Sequence, residues 1–462
     1  MQTVAATASP PLPPEAVAPS VRRWRPSAPG RASVLATALV WLPMLVWYAA
    51  FRPGLMSSDS ITVYDYAVHG GWVDYHAPAY IAGMWLSTTL TGSPSLLTLA
   101  QSLLLAAAIV AVARSLLRLG VHRYAVYGAT AVVALLPTVG AFSISLWKDV
   151  PYAAAFLFIS ARVIDLTRAR LLDDLDAARS ATWSICCWSC LAVAMRQNGV
   201  LLVSGLTVVL WIISKAQRRQ MVAVLVIPIA LLLVLKAVVY PVMGVASSGA
   251  QPPLELQLHD IADATAREPE IFTDSDRAFL DTMAPFDVWA GSYAGFGCWS
   301  ASWQWDKRFD WSKLEGHAAR LVSLWLKVVR ERPAMVMRNR VCIGSIAFRP
   351  DNEGLLYTVS RGIYGNSDGL RTVPISGTLH DRAVSVLDRL DENDVQSWAW
   401  RAPGWVYLAD IVFIAVALRR RRSILLLPLL PLAMLQLAVF VVNPAQDARY
   451  MVPALMLAFL LL

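Results

Sequence analysis

The stretch PAYIAGMWLSTTLTGSPSLLTLAQSLLLAAAIVAVARSLLRLGVHR, residues 78–123, decides how the chain is laid out. From Ser95 to Ala113 it is an apolar run close to the roughly 20 residues needed to cross a ~30 Å hydrocarbon layer. From Pro78 to Thr91 it is apolar but too short to cross. If that first half crossed as well, Arg114, Arg118 and Arg123 would fall outside. As an interfacial helix it leaves all three inside, where basic residues near span ends concentrate. We read residues 78–91 as interfacial.

Working outward, runs of the same kind recur at residues 33–51, 124–142, 150–166, 180–195, 198–214, 221–243, 402–418, 423–441 and 450 to the end, the last short of a full crossing. With 95–113 they make about ten spans and place both termini inside. The expected fold is an all-α polytopic membrane bundle with an extracytoplasmic, mixed but largely helical insert. Composition agrees: of 462 residues 57% are hydrophobic and 16% charged, where a soluble domain carries about a quarter. Five cysteines exclude a disulfide scaffold. Residues 1–32, rich in Pro and Ala with Arg22, Arg23, Arg25 and Arg31, read as a flexible cytoplasmic tail. Residues 33–244 form an N-terminal transmembrane module, 245–401 an extracytoplasmic domain, and 402–462 the C-terminal transmembrane helices.

The formal charge of +8 needs no nucleic-acid partner. The insert holds 17 Lys/Arg and 21 Asp/Glu, so the tail, spans and short loops hold the basic excess, most of it in segments assigned inside. Charges that break this rule mark a site, because a charge at the bilayer without a purpose is costly.

They cluster in four outer loops. The first, residues 52–78, carries Asp59 in SSDS, then Asp65, Asp74 and His76. A carboxylate at a span end can take a proton from a bound hydroxyl, and Asp59 is the expected base. Its competing role is to cap a helix, since Ser-Ser-Asp-Ser is also a good helix start. The second, LWKDVP, offers Lys148 to a phosphate and Asp149 to orient it or a substrate hydroxyl. The third, RQNG, presents Arg196 and Asn198, and the last, DARY, presents Asp447, Arg449 and Tyr450. Carboxylates that activate an acceptor, beside cations that stabilise a departing phosphate, suit transfer from an anionic lipid carrier. No GxxxxGK[ST] loop or dinucleotide fingerprint is present.

This order of basic N-terminus, first span, acidic outer loop, interfacial helix and second acidic loop resembles the C-type (GT-C) polytopic membrane glycosyltransferase superfamily, in a bacterial branch of actinobacterial type. The resemblance covers roughly Ser33 to Met243, with SSDS, DYHAP, LWKDVP, RQNG and, farther on, DARY. It implies a polyprenyl-phosphate-linked sugar as donor, a glycan, lipid or protein as acceptor, a plasma-membrane location with the site on the extracytoplasmic face, and a part in cell-envelope biogenesis. It also implies Asp59 as base and Asp149 as a second acidic loop residue. No motif here names a cofactor; some members use a divalent metal and others do not, and Asp59 and Asp149 could share one. The competing readings are a flippase or transporter of a lipid-linked or anionic solute, and a catalytically silent assembly protein.

Three features lie outside this site. Cys186, Cys187 and Cys190 read as packing residues of a span, and Cys298 and Cys342 as a disulfide option in the insert. Most of the tryptophans at 289, 299, 303, 305, 311, 325, 398, 400 and 405 are expected at a membrane interface. Lys236 and Asp410, each within a span, are expected to pair with each other.

Overall fold

In the computed structural model the described residues, 30–197, 199–249, 251–291, 306–351 and 358–462, form helices joined by turns and short extended segments, with three isolated β-bridges and no β-strand among them. Residues 1–29 of the segment expected as a cytoplasmic tail, Asn198, Cys298, Trp299, Trp303 and Trp305 lie outside the described residues.

The first apolar run is helix α1 (Arg31–Phe51), followed by α2 (Ser58–His69) and α3 (Pro78–Thr91). Pro78 opens α3, where its missing N–H costs nothing, and Gly92 closes it in the left-handed region. The same device ends α4 (Ser95–Leu119): Gly120, at φ 98°, donates back to the carbonyls of Leu116 and Leu117. The run expected as one span at 124–142 is instead broken into α5 (Arg123–Leu135) and α6 (Pro137–Ile144), bent by 58°. Pro137 is the cause, because its ring pushes Leu136 out of helical geometry to ψ 122°. Then come α7 (Asp149–Leu171), α8 (Leu175–Met195), α9 (Gly199–Ile213) and α10 (Arg218–Val234), which continues through a π-helical turn to Val242.

Among the described residues five helices are long and apolar enough to cross a membrane: Arg31–Phe51, Ser95–Leu119, Asp149–Leu171, Lys215–Val242 and Ser423–Val442. The number is six if the bent pair counts as one span. Helix α7 is the hub: 83% of its apolar stretch is buried, against α4 and α8, whereas only 11% of Lys215–Val242 is. Short turns carry the chain back and forth between two ends of the bundle. One end gathers Phe51, Ser95, Ile144, Asp149, Met195 and Gly199; the other gathers Arg118, Arg123, Arg170, Lys215, Arg218 and Arg419 to Arg422.

The insert divides between two apolar cores. Leu254 through Met335 build their own core around Trp289, with Leu321, Leu324 and Val328 of Leu314–Glu331 as its apolar stripe. Ile346, Val359, Leu387 and Trp400 join the core of the bundle, and His380 donates to the Ala50 carbonyl at the end of α1, 3.0 Å away. Trp289 and Trp400 are thus fully buried rather than placed at an interface, because each fills a core. Cys342 is disulfide-bonded, while Cys186, Cys187 and Cys190 are free thiols, Cys186 packing in α8 against the Ala223 carbonyl of α10.

Candidate functional site

The site is assembled where the first two loops at the Phe51–Asp149 end are laced together. Leu55 N–H donates to the Ile144 carbonyl at 3.0 Å and receives Leu146 N–H at 2.8 Å. Gly54 permits this approach. Its φ is 148°, and a Cβ there would lie 2.8 Å from the Ile144 carbonyl oxygen and 2.9 Å from Thr98 Oγ1. From the other side Gln101 of α4 donates to the Ser143 and Ser145 carbonyls, fixing the second loop.

SSDS does start a helix, but Ser57 is the cap: its backbone and side chain exchange contacts with Ser60 in a capping box. Asp59 is thereby left to point elsewhere. Its carboxylate meets Arg449 at 2.8 Å, and Arg449 meets Asp447 at 2.8 Å on its other side. Arg196 is paired with Asp149, both almost fully buried. The ring of Tyr450 lies between the two guanidiniums, 4.5 Å from Arg196 and 5.3 Å from Arg449. Tyr152 backs Arg196 at 5.6 Å, and Trp147 backs Arg449 at 5.3 Å while donating to Ser57 Oγ. Lys148 donates to the Tyr75 carbonyl at 3.3 Å, which brings the buried His76 against the same group of charges.

Crowding sets the protonation states. Burial opposes the charge on Asp59, but Arg449, His76 and Lys148 prevail and lower its pKa to about 2. Burial raises Asp447 to about 6 against the pull of Arg449. Burial also lowers His76 to about 4, with Lys148 adding to the effect, and lowers Lys148 to about 8 although Asp149 resists. At neutral pH Asp59 and Asp447 are therefore carboxylates, Lys148 is an ammonium and His76 a neutral imidazole.

Of the expected site residues, Asp59, His76, Lys148, Asp149, Arg196, Asp447, Arg449 and Tyr450 come together. Asp65 does not: two turns along α2 it bonds the exposed His69 at 3.0 Å, and His69 reaches Asp368 at 3.5 Å. Asp74 does not either. Its carboxylate takes the Ser248 N–H and hydroxyl, both at 2.6 Å, and Lys236 at 3.2 Å, so it anchors the wall of the site, to which Gln197 bonds through the Asp74 carbonyl. Lys236 is consequently paired with Asp74 and not with Asp410, because its place near the end of the α10 continuation sets it beside the first loop. Asn198 falls outside the described residues.

A shared metal between Asp59 and Asp149 does not fit this arrangement, since each carboxylate is engaged by a guanidinium. Among the described residues only Asp65, His69 and Asp368, all exposed, bring three ligand atoms together.

Trp147, Tyr152 and Asn443 are additions that sequence reasoning missed. The signal for the first two was an aromatic residue beside or near a charged one, in W-K-D and three residues after Asp149. Asn443 lines a narrow cleft with Tyr152, Arg196, Tyr450 and the apolar Leu435, Ala438 and Val439, and its buried side-chain oxygen has no hydrogen-bond partner among the described residues.

The chain belongs to the family described as Family of unknown function (DUF6020), which matches residues 79–462. Searches of curated proteins and of solved structures found no match.

Proposed function

We propose that this member of the family is an integral membrane glycosyltransferase of GT-C type, transferring a sugar from a polyprenyl-phosphate-linked donor to an extracytoplasmic glycan, lipid or protein acceptor. The observation that carries the reading is the convergence of Asp59, Lys148, Asp149, Arg196, Asp447 and Arg449, drawn from four separate loops, on one centre at one end of a helical bundle. In this reading α8, α9, Pro403–Arg420 and Val452–Leu461 also cross, giving about ten spans, and residues 245–401 lie outside the cell. Orientation follows from the Arg and Lys residues at the opposite end, which would face the cytoplasm of a bacterial plasma membrane.

Arg196, Arg449 and Lys148 would hold the donor phosphate. The apolar wall of Leu435, Ala438 and Val439 beside Arg196 suits a ligand that is anionic at one end and hydrocarbon at the other. Asp59 would remove the proton of the acceptor hydroxyl as its oxygen bonds to the anomeric carbon. The bond from that carbon to the phosphate oxygen breaks, and polyprenyl phosphate leaves with its charge on the cations. A single displacement inverts the anomeric centre.

The resting pKa of Asp59, about 2, makes it a poor base while Arg449 holds it. A phosphate oxygen arriving on Arg449 competes with Asp59 but not with Asp447, which flanks the same guanidinium from the other side. Loss of that partner raises the basicity of Asp59 when a donor is bound and not before. A flippase would need ionisable groups through the depth of the bundle, and Lys236, expected from the sequence within a span, instead lies near the end of its helix, tied to Asp74.

The test is Asp59→Asn in vesicles supplied with polyprenyl-phosphate-linked sugars. Transfer should fall by about 10²- to 10⁴-fold with thermal stability near wild type, since Asp447 still neutralises Arg449. Undiminished transfer would remove Asp59 from the role of base. Deletion of the protein should lead to accumulation of the donor lipid and loss of one residue from an envelope glycan.

A further inference from the structure

The opposite end of the bundle contains a second cluster of charges that the proposed transfer does not use. A cleft between α7 and α8 is lined by Arg118, Arg162, Asp165 and Arg168 with Ala177 and Ala181. Asp165 takes Arg162 at 2.8 Å and Arg118 at 3.2 Å, so one half-buried carboxylate serves two guanidiniums. Arg168, one turn farther along α7 and also half-buried, has no ion pair or side-chain hydrogen bond among the described residues. The Nε of Arg162 is buried without a hydrogen-bond partner among the described residues. Arg114 and Arg168 both lie within electrostatic reach of Arg118.

Basic residues at this end are expected from the orientation rule alone, but that rule is met by side chains spread into water, as Arg123 is, stacked on Tyr124. Three guanidiniums beside one carboxylate, with only Arg118 and Arg162 paired to it, repel one another at a cost unless further negative charge arrives. The α8 wall of the cleft, at Ala177 and Ala181, has only methyl side chains. A tetrahedral oxyanion matches both charge and shape, since guanidinium forks bind phosphate oxygens in pairs.

We infer that Arg118, Arg162 and Arg168 form a binding site for a phosphate-bearing anion, with Asp165 holding Arg118 and Arg162 in place when it is empty. Two sources present this chemistry there, the headgroup of an anionic phospholipid and free phosphate.

The full chain in detergent, titrated with phosphatidylglycerol, phosphatidylcholine or inorganic phosphate, separates them by thermal unfolding midpoint. Phosphatidylglycerol should raise the midpoint by several degrees and phosphatidylcholine should not. A rise with inorganic phosphate equal to that with phosphatidylglycerol identifies free phosphate as the ligand, and a rise confined to the lipid identifies the headgroup. Arg168→Gln should at least halve the rise, Arg123→Gln should leave it unchanged, and Asp165→Asn, which removes the competing carboxylate, should enlarge it. Equal rises with both phospholipids and none with phosphate, or an Arg168→Gln protein that responds like wild type, overturn the site. If Arg168→Gln does not fold, the sign of the Asp165→Asn change decides, and a smaller or unchanged response counts against it.

Discussion

The two ends of the bundle handle buried guanidinium in opposite ways. At one end Arg196, Arg449 and Lys148 face Asp59, Asp149 and Asp447, with Tyr152, Tyr450 and Trp147 rings packed on the guanidiniums. At the other, Arg118 and Arg162 share Asp165, with Arg168 lining the same cleft beside alanine side chains. A matched and stacked set is stable when empty, and its charges are available for exchange when an anion arrives. An unmatched set has a standing excess of positive charge. The first arrangement suits a ligand that comes and goes with turnover, the second a ligand that stays.

The largest effect expected of this contrast is from Arg449→Ala. It leaves Asp447 and Asp59 facing each other with no guanidinium between them, and stability should drop by about 3–5 kcal/mol in denaturant unfolding. A loss under about 1 kcal/mol would mean that the matched end is not held by its charges. Arg196→Lys keeps the charge but loses the planar group stacked on Tyr450, for about 1–2 kcal/mol and a clear loss of donor affinity; unaltered affinity would exclude stacking as the reason for arginine.

The pH dependence is subtler. His76, lowered to about 4, favours the folded state as pH rises from 4 to its usual 6.5, because the unfolded chain binds the extra proton. Asp447, raised to about 6, acts in the reverse sense from its usual 3.8 up to 6, because the folded chain binds the proton there. Their windows overlap between pH 4 and 6, and their contributions offset. His76→Gln should therefore uncover a fall in stability with rising pH across that interval, at most about 1.4 kcal/mol per unit; a profile parallel to wild type would rule out the offset. Transfer should also decline as Lys148 loses its proton above about pH 8. The smallest effect belongs to Asp65→Asn, outside the matched set and exposed, with stability within about 0.5 kcal/mol of wild type and transfer unchanged. A large loss of transfer would extend the site along α2.

Much of this could be read from the sequence because lipid is an unforgiving solvent. Apolar runs of the right length gave the helices, and charges on the wrong side of the membrane rule pointed to Asp59, Lys148, Asp149, Arg196, Asp447 and Arg449. What could not be read was pairing. Asp74 and Asp59 look alike in one acidic loop, yet the return of the chain at Ser248 and Lys236 claims the first, and the C-terminal Arg449, 390 residues distant, claims the second. The break at Leu136 was legible from Pro137 and was overlooked because hydropathy runs straight through it. The burial of Trp289 and Trp400 depends on which core each half of the insert joins, and no local pattern encodes that.

The lacing of Leu55 to Ile144 and Leu146 has a mechanical consequence. It joins Asp59, Lys148 and Asp149 through main-chain bonds into a single plate. The hairpin carrying Asp447 and Arg449 is fastened across to its neighbours by side chains: Arg340 to the Asn443 carbonyl, Gln446 to the Cys342 carbonyl and Ser345 hydroxyl, and Arg449 to Asp59. Backbone seams are stiff and side-chain latches can be released one at a time. Force applied at the centre would therefore open the joint between plate and hairpin first, which makes the Asp59–Arg449 contact the latch of the assembly as well as its chemistry.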